Sequence, residues 1–136
     1  MGKQIIDIRE DELPLTHTFS ESVYCREIYM PKGMIIVGHV HNTTHLNIVS
    51  KGKALVWMNG EVTEVVAPYT FESKGGVRKV LYILEDMFWS TVHVTNETNI
   101  EVLESTLVDK SKSEGIDMVK LMNKAKEDLF LIEGEK

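Results

Sequence analysis

A single cysteine, Cys25, stands among the 136 residues, so no internal disulfide can staple the fold and a reducing compartment is expected. Cys25 sits in the apolar run Val23 to Met30, where a small buried strand residue is a simpler reading than a reactive thiol. Positive charge is scarce too: 15 Lys and Arg against 21 Asp and Glu leave a net charge of −6. With no basic stripe, a general nucleic-acid-binding role is set aside, because neutralising phosphates needs clustered Lys and Arg. Long apolar runs are missing, and nothing approaches the ~20 residues of a membrane-spanning helix. The opening MGKQIIDIRED lacks the apolar core of a secretion signal, which makes the cytoplasm the expected location. Absent as well are G-x-S-x-G, P-loop, zinc-finger and dinucleotide fingerprints, and with them the acyl-hydrolase, NTPase and Rossmann readings.

What is present reads as one globular domain, since 43% of residues are hydrophobic and 26% charged. Residues 4–8 form a short strand candidate, followed by β-branched and aromatic runs at Tyr24–Met30, Met34–His41, Leu46–Ser50, Tyr69–Glu72, Val77–Leu84 and Met87–Thr95. Turn signals at Pro31-Lys32-Gly33, Lys51-Gly52, Lys74-Gly75-Gly76 and Glu85-Asp86 separate them. Lys53–Met58 and Glu61–Val66 flank Asn59-Gly60, which predicts a hairpin, because a type I′ turn needs positive φ at both central residues. Short strands at this spacing predict an all-β sandwich or barrel. The tail then changes period. Thr98 to Glu101 has the form of a capping box, with Ile100, Leu103 and Leu107 at helical spacing. A second helix is expected from Ile116 to about Leu129, with Met118, Leu121, Met122, Ala125 and Leu129 on one side, packing on its own barrel or on a partner subunit.

The chemistry concentrates in GMIIVGHVHNTTHLNIVSKG, Gly33 to Gly52. His39 and His41 would share a strand face, because side chains alternate with period two, and His45 can fold back onto it after a polar turn. That register would put Ile35 and Val37 inside and Ile36 and Val40 outside. Converging neutral imidazoles suit a divalent transition metal: Fe, Zn, Ni, Mn or Cu. On the later strand Trp89, Thr91 and His93 share a face, so His93 joins the candidate ligands. The set is then His39, His41 and His45, or His41, His45 and His93; the plainer alternative for each is a neutral core histidine. His17, in LTHTF, is expected at the surface or an edge. Trp57, Tyr69, Phe71, Tyr82 and Trp89 are expected as barrel core, and Thr43 and Thr44 to orient a ligating imidazole.

The spacing Gly33-x5-His39-x-His41-x3-His45-x6-Gly52 resembles the first motif of the cupins, with His45 where that motif has Glu. Gly60, Ala67-Pro68-Tyr69-Thr70-Phe71 and Gly76 to Tyr82 resemble the second, with Lys79 where cupins carry a metal-binding His. The likeness runs from about Tyr24 to Val108 and is nearest to small single-domain cupins of bacteriophages. It implies an all-β double-stranded β-helix, a jelly-roll barrel, with a short C-terminal helical extension. The division expected is a lead-in at 1–23, the cupin barrel at 24–97 and the extension at 98–136. Homodimers are frequent among cupins, and a homodimer is expected here, in host cytoplasm if the phage likeness holds.

Both departures bear on the ligand. Imidazoles alone leave a bound M²⁺ with its full charge, which favours anions or hydroxide. Lys79 near such an ion costs Coulomb energy unless an anion lies between them. Lys79, with Arg78 on the other face, is therefore a candidate anchor for a carboxylate or phosphate; the alternative is a snorkelling lysine paired with Glu72, Glu85 or Glu101. Two functions compete: a metal-dependent enzyme of oxygenase, isomerase or lyase type acting on a small anionic molecule, and a protein that binds or sequesters such a molecule, for example a nucleotide, without turning it over. A purely structural role would leave the histidines without a purpose.

Overall fold

The computed structural model describes residues 7–9, 13–38, 40–107 and 118–134. Among the described residues eight strands precede two helices: β1 (Asp7–Arg9), β2 (Leu15–Ser20), β3 (Val23–Met30), β4 (Ile35–Val37), β5 (His45–Met58), β6 (Glu61–Val66), β7 (Tyr69–Ser73), β8 (Lys79–Val94), α1 (Ile100–Leu107) and α2 (Met118–Gly134). Two strands organise the rest. β5 and β8 pair along almost their whole lengths, from Leu46↔Val92 to Met58↔Lys79. Each contributes to both layers of a sandwich. In one layer the order is β2, β3, the second half of β8, the first half of β5, and β7. In the other it is β1, β4, the first half of β8, the second half of β5, and β6. The result is a double-stranded β-helix of the jelly-roll kind.

The passage between layers falls where turns are expected from Lys51-Gly52 and Glu85-Asp86. Neither is a turn. The ladder shifts register between Val49 and Ala54, so both strands bend and continue. Gly52 adopts φ +99, and a Cβ there would lie 2.4 Å from the carbonyl oxygen of Asp86. Backbone approach of that kind is open only to glycine. The hairpin at Asn59-Gly60 is present, with φ +52 and +83. β2 is an additional strand, running antiparallel to β3 from Leu15↔Ile28 to Ser20↔Val23.

Side-chain alternation fills the interior. Ile28, Met30, Ile36, Val49, Ala54, Val56, Leu81, Ile83, Met87 and Trp89 form the core between the layers. A second cluster lies outside: Ile35, Leu55, Trp57, Val80 and Tyr82 are covered by Ala125 and Leu129 of α2. Of the two sequence alternatives, α2 takes its own barrel. Trp57 Nε1 donates to Asp128 Oδ2 at 2.9 Å, and Phe130 meets Tyr82 edge-on. Trp57 and Tyr82 are thus beneath the helix rather than inside the barrel, and Tyr69 is 47% exposed. Cys25 is half-buried on the outward face of β3, not in the core. For α1 the cap is Asn99, whose Oδ1 accepts from the amide of Val102 at 3.2 Å, while Glu97 accepts from the amides of Thr98 and Asn99. The capping box read at Thr98 is displaced by one residue. His39 and residues 108–117, including the expected start of the second helix, lie outside the described residues. Among the described residues no helix is long and apolar enough to cross a membrane.

Candidate metal and ligand site

The inward faces of β3, β8, β5 and β7 line up in rows. Tyr24 pairs with His93, and one step beyond Leu46↔Val92 places His45, itself paired with Ser73, beside His93. The next inward row is Arg26, Thr91, Asn47 and Phe71. After it come Ile28, Trp89 and Val49. Imidazoles thus give way to polar groups and then to apolar ones, two residues apart along each strand.

His41 arrives from another direction. β4 ends at Val37, and its inward residue is Ile36, while Ile35 packs outward against α2. The register expected from His39 and His41 is therefore reversed at β4, and His41, beyond the end of that strand, faces the other two imidazoles all the same. Three contacts hold that loop. Gly76 donates its amide to the His41 carbonyl at 2.8 Å. The Asn42 amide donates to Leu107 O at 2.8 Å, and Asn42 Nδ2 to Thr106 O at 2.7 Å, so the last carbonyls of α1 grip the turn. A Cβ on Gly75 would lie 2.7 Å from Asn42 O, which keeps this approach for glycine. His45 Nδ1 lies 3.0 Å from Thr43 O. A carbonyl only accepts, so Nδ1 carries the proton and Nε2 is the nitrogen with the lone pair. The backbone of Thr43, not a threonine hydroxyl, does the orienting.

The three imidazoles converge. Ring centroids are 4.5 Å apart for His41 and His45, 4.9 Å for His45 and His93, and 5.3 Å for His41 and His93. One nitrogen from each lies within 4.8 Å of the others. Exposure is 9% at His41, 5% at His45 and 2% at His93. Nδ1 of His41, both nitrogens of His93 and Oγ1 of Thr91 are buried with no hydrogen-bond partner among the described residues. Buried polar atoms are ordinarily satisfied, so these orphans mark a place shaped for something else. Burial, reinforced by neighbouring positive charge, lowers His41 to about 2 and His93 to about 4. Both rings are neutral at pH 7, the form that ligates a metal. A divalent transition metal fits this donor set.

Beside the triad is a small cavity of about 40 Å³ that opens to solvent. His41 and His45 border it, with Arg26, Asn47, Lys79, Thr91 and an apolar wall that includes Leu81 and Trp89. Asn47 is committed: it accepts from Trp89 Nε1 at 2.9 Å and donates to Ser73 Oγ at 2.8 Å. Lys79 reaches across from the opposite layer, donates to the same Ser73 Oγ, and holds its ammonium 5.6 Å from the Phe71 ring centroid and 6.0 Å from that of Trp89. Glu72, one of its expected partners, pairs with Lys74.

The structure therefore brings His41, His45, His93 and Lys79 together. Arg78, just before β8, is not among the residues lining the cavity. His17 lies on edge strand β2, with Nδ1 2.6 Å from the Tyr24 hydroxyl. Arg26 is a site residue that sequence reasoning misses. Its signal is the alternation Tyr24, Arg26, Ile28, Met30, which sets one charge on an otherwise buried face.

No family model and no curated protein matches the sequence. Solved structures do match the fold. A protein with a double-stranded β-helix domain from Klebsiella pneumoniae superposes with a TM-score of 0.53 at 18% identity, covering 64% of this chain and 80% of its own. A cupin superfamily protein from Desulfitobacterium hafniense gives 0.52 at 11% identity, over 66% and 84% of the two chains. A cupin-2 domain protein from Shewanella frigidimarina gives 0.50 at 10%, over 60% and 79%. At such identities the likeness is one of architecture, and with the strand order above it establishes that this chain has the cupin fold, the double-stranded β-helix.

Proposed function

We propose that His41, His45 and His93 hold a divalent transition metal and that the adjoining cavity brings a small anionic molecule to it. The observation that carries this reading is the buried triad with nitrogens within 4.8 Å and with both nitrogens of His93 unsatisfied by the described residues. A metal bound there supplies Lewis-acid chemistry or, if it is iron, oxygen chemistry. The chain's own residues do the rest. Thr43 fixes the tautomer of His45, Tyr24 stacks on His93 with centroids 6.1 Å apart, and the apolar wall restricts water. Arg26 and Lys79 supply positive charge without a carboxylate among the described lining residues. An anion is the complement of that field.

The same absence favours a second reading, binding without turnover, because no Asp or Glu among the described lining residues can serve as general base. The two readings share the site and differ in whether the bound molecule reacts.

Metal analysis by mass spectrometry tests the proposal. Tag-free protein, loaded and dialysed, should hold close to one equivalent; His41→Ala and His93→Ala should lose it, and Lys79→Ala should keep it. No metal in the parent protein after loading with Fe, Zn, Ni and Mn in turn would sink the metal reading.

A further inference from the structure

We propose that the cavity takes a small carboxylic acid with an apolar body, its carboxylate held between Arg26 of β3 and Lys79 of β8 and its body against Leu81 and Trp89. This deepens the anionic-ligand reading and rests on it, but not on the metal.

The order of the rows carries the inference. Arg26 is 8% exposed and stands in the middle row, between the imidazoles and the apolar end of the cavity. Its guanidinium borders the cavity, and the planar fork of an arginine matches a carboxylate. Beside it, across the β3–β8 ladder, Thr91 offers a buried Oγ1 with no hydrogen-bond partner among the described residues. Asn47, the third member of the row, is spent on Trp89 and Ser73, so the adjustable polar group is the threonine. Lys79 approaches from the opposite layer, and an anion between the two cations would meet a fork, an ammonium and a hydroxyl. One step further along β8 the wall is Trp89, with Leu81 and Ile28 also lining the cavity. A multiply charged, strongly hydrated ion such as free phosphate gains nothing from that end. A molecule with one charged head and an apolar remainder satisfies both ends.

The test uses full-length protein freed of metal by chelator dialysis, so that failure here and failure of the metal site are read separately. Phenylacetate and hexanoate are titrated by calorimetry and thermal melting against their neutral amides and against inorganic phosphate. The acids should raise the melting temperature and bind about tenfold or more tightly than the amides, the weight of a charge-assisted contact. Lys79→Met and Thr91→Val should each weaken the acids and leave the amides unchanged. Arg26→Met should do the same; because Arg26 is buried and its loss can unfold the chain, Arg26→Lys, which keeps the charge and loses the fork, is measured beside it and should be weaker than the parent. Amides binding as well as the acids would overturn the proposal, as would phosphate binding more tightly than either acid, no binding of either acid, or a Lys79→Met protein with unchanged affinity for both.

Discussion

His93 is the most constrained residue of the site. Its ring lies between Tyr24 and the other two imidazoles, 2% exposed, with neither nitrogen hydrogen-bonded among the described residues. Burial holds its pKa at about 4, whereas an imidazole in the unfolded chain titrates at 6.5. Between those values the unfolded chain binds more protons than the folded one, so stability rises with pH across the window and is lost on acidification. Metal-free protein should therefore weaken as the pH falls from 6.5 towards 4, by on the order of 3 kcal/mol through His93 alone. His41, lowered further for the same reason, adds in the same direction. Urea midpoints measured across this range check it, with His93→Phe as control: the variant keeps a ring against Tyr24 and should show a shallower decline. Equal declines would show that His93 does not remain neutral.

Among the elements, β5 and β8 show where local sequence misleads. Lys51-Gly52 and Glu85-Asp86 have turn composition, yet each lies inside a strand that bends from one layer to the other. Composition cannot tell a bulge from a turn, because both need a residue free of Cβ constraints; only the pairing partner across the ladder decides. Asn59-Gly60 is legible because its φ requirement is purely local. His93 is legible through the period-two relation of Trp89, Thr91 and His93, which survives in a straight stretch of β8. Arg26 is missed because Val23 to Met30 reads as an apolar run, and His41 lies beyond the end of β4, where the strand's period no longer says which way it faces. The two glycines should separate experimentally. Gly52→Ala, meeting Asp86 O and Met87, should cost about 3 kcal/mol or more in urea unfolding. Gly60→Ala, with positive φ but open space around it, should cost about 1 kcal/mol. Similar losses at both would mean that the β5 crossing relaxes to admit a side chain.

At the scale of the molecule, the two described helices serve opposite ends of the same need. α2 covers the outer face of one layer, while α1 ends on the loop between His41 and His45. Asn42 makes two hydrogen bonds to the final carbonyls of α1, one from its backbone amide and one from Nδ2. Asn42→Ala should weaken metal retention about 10- to 100-fold, the usual effect of losing support behind a ligand, with the far-ultraviolet spectrum unchanged. Retention equal to that of the parent protein would show that the side-chain hydrogen bond to Thr106 O is not what holds the loop, since Asn42→Ala keeps the backbone bond to Leu107 O.

The two tryptophans sit on different sides of this arrangement: Trp57 lies beneath α2 with its indole on Asp128, and Trp89 lies in the cavity with its indole on Asn47. They are the only two in the chain. Replacing Trp57 by Phe leaves one tryptophan, already inside the chamber where a ligand would rest, and replacing Trp89 by Phe leaves one that sees only the seating of the helix. The fold thus carries two separate optical probes, one for occupancy and one for closure of its outer face, with no dye attached.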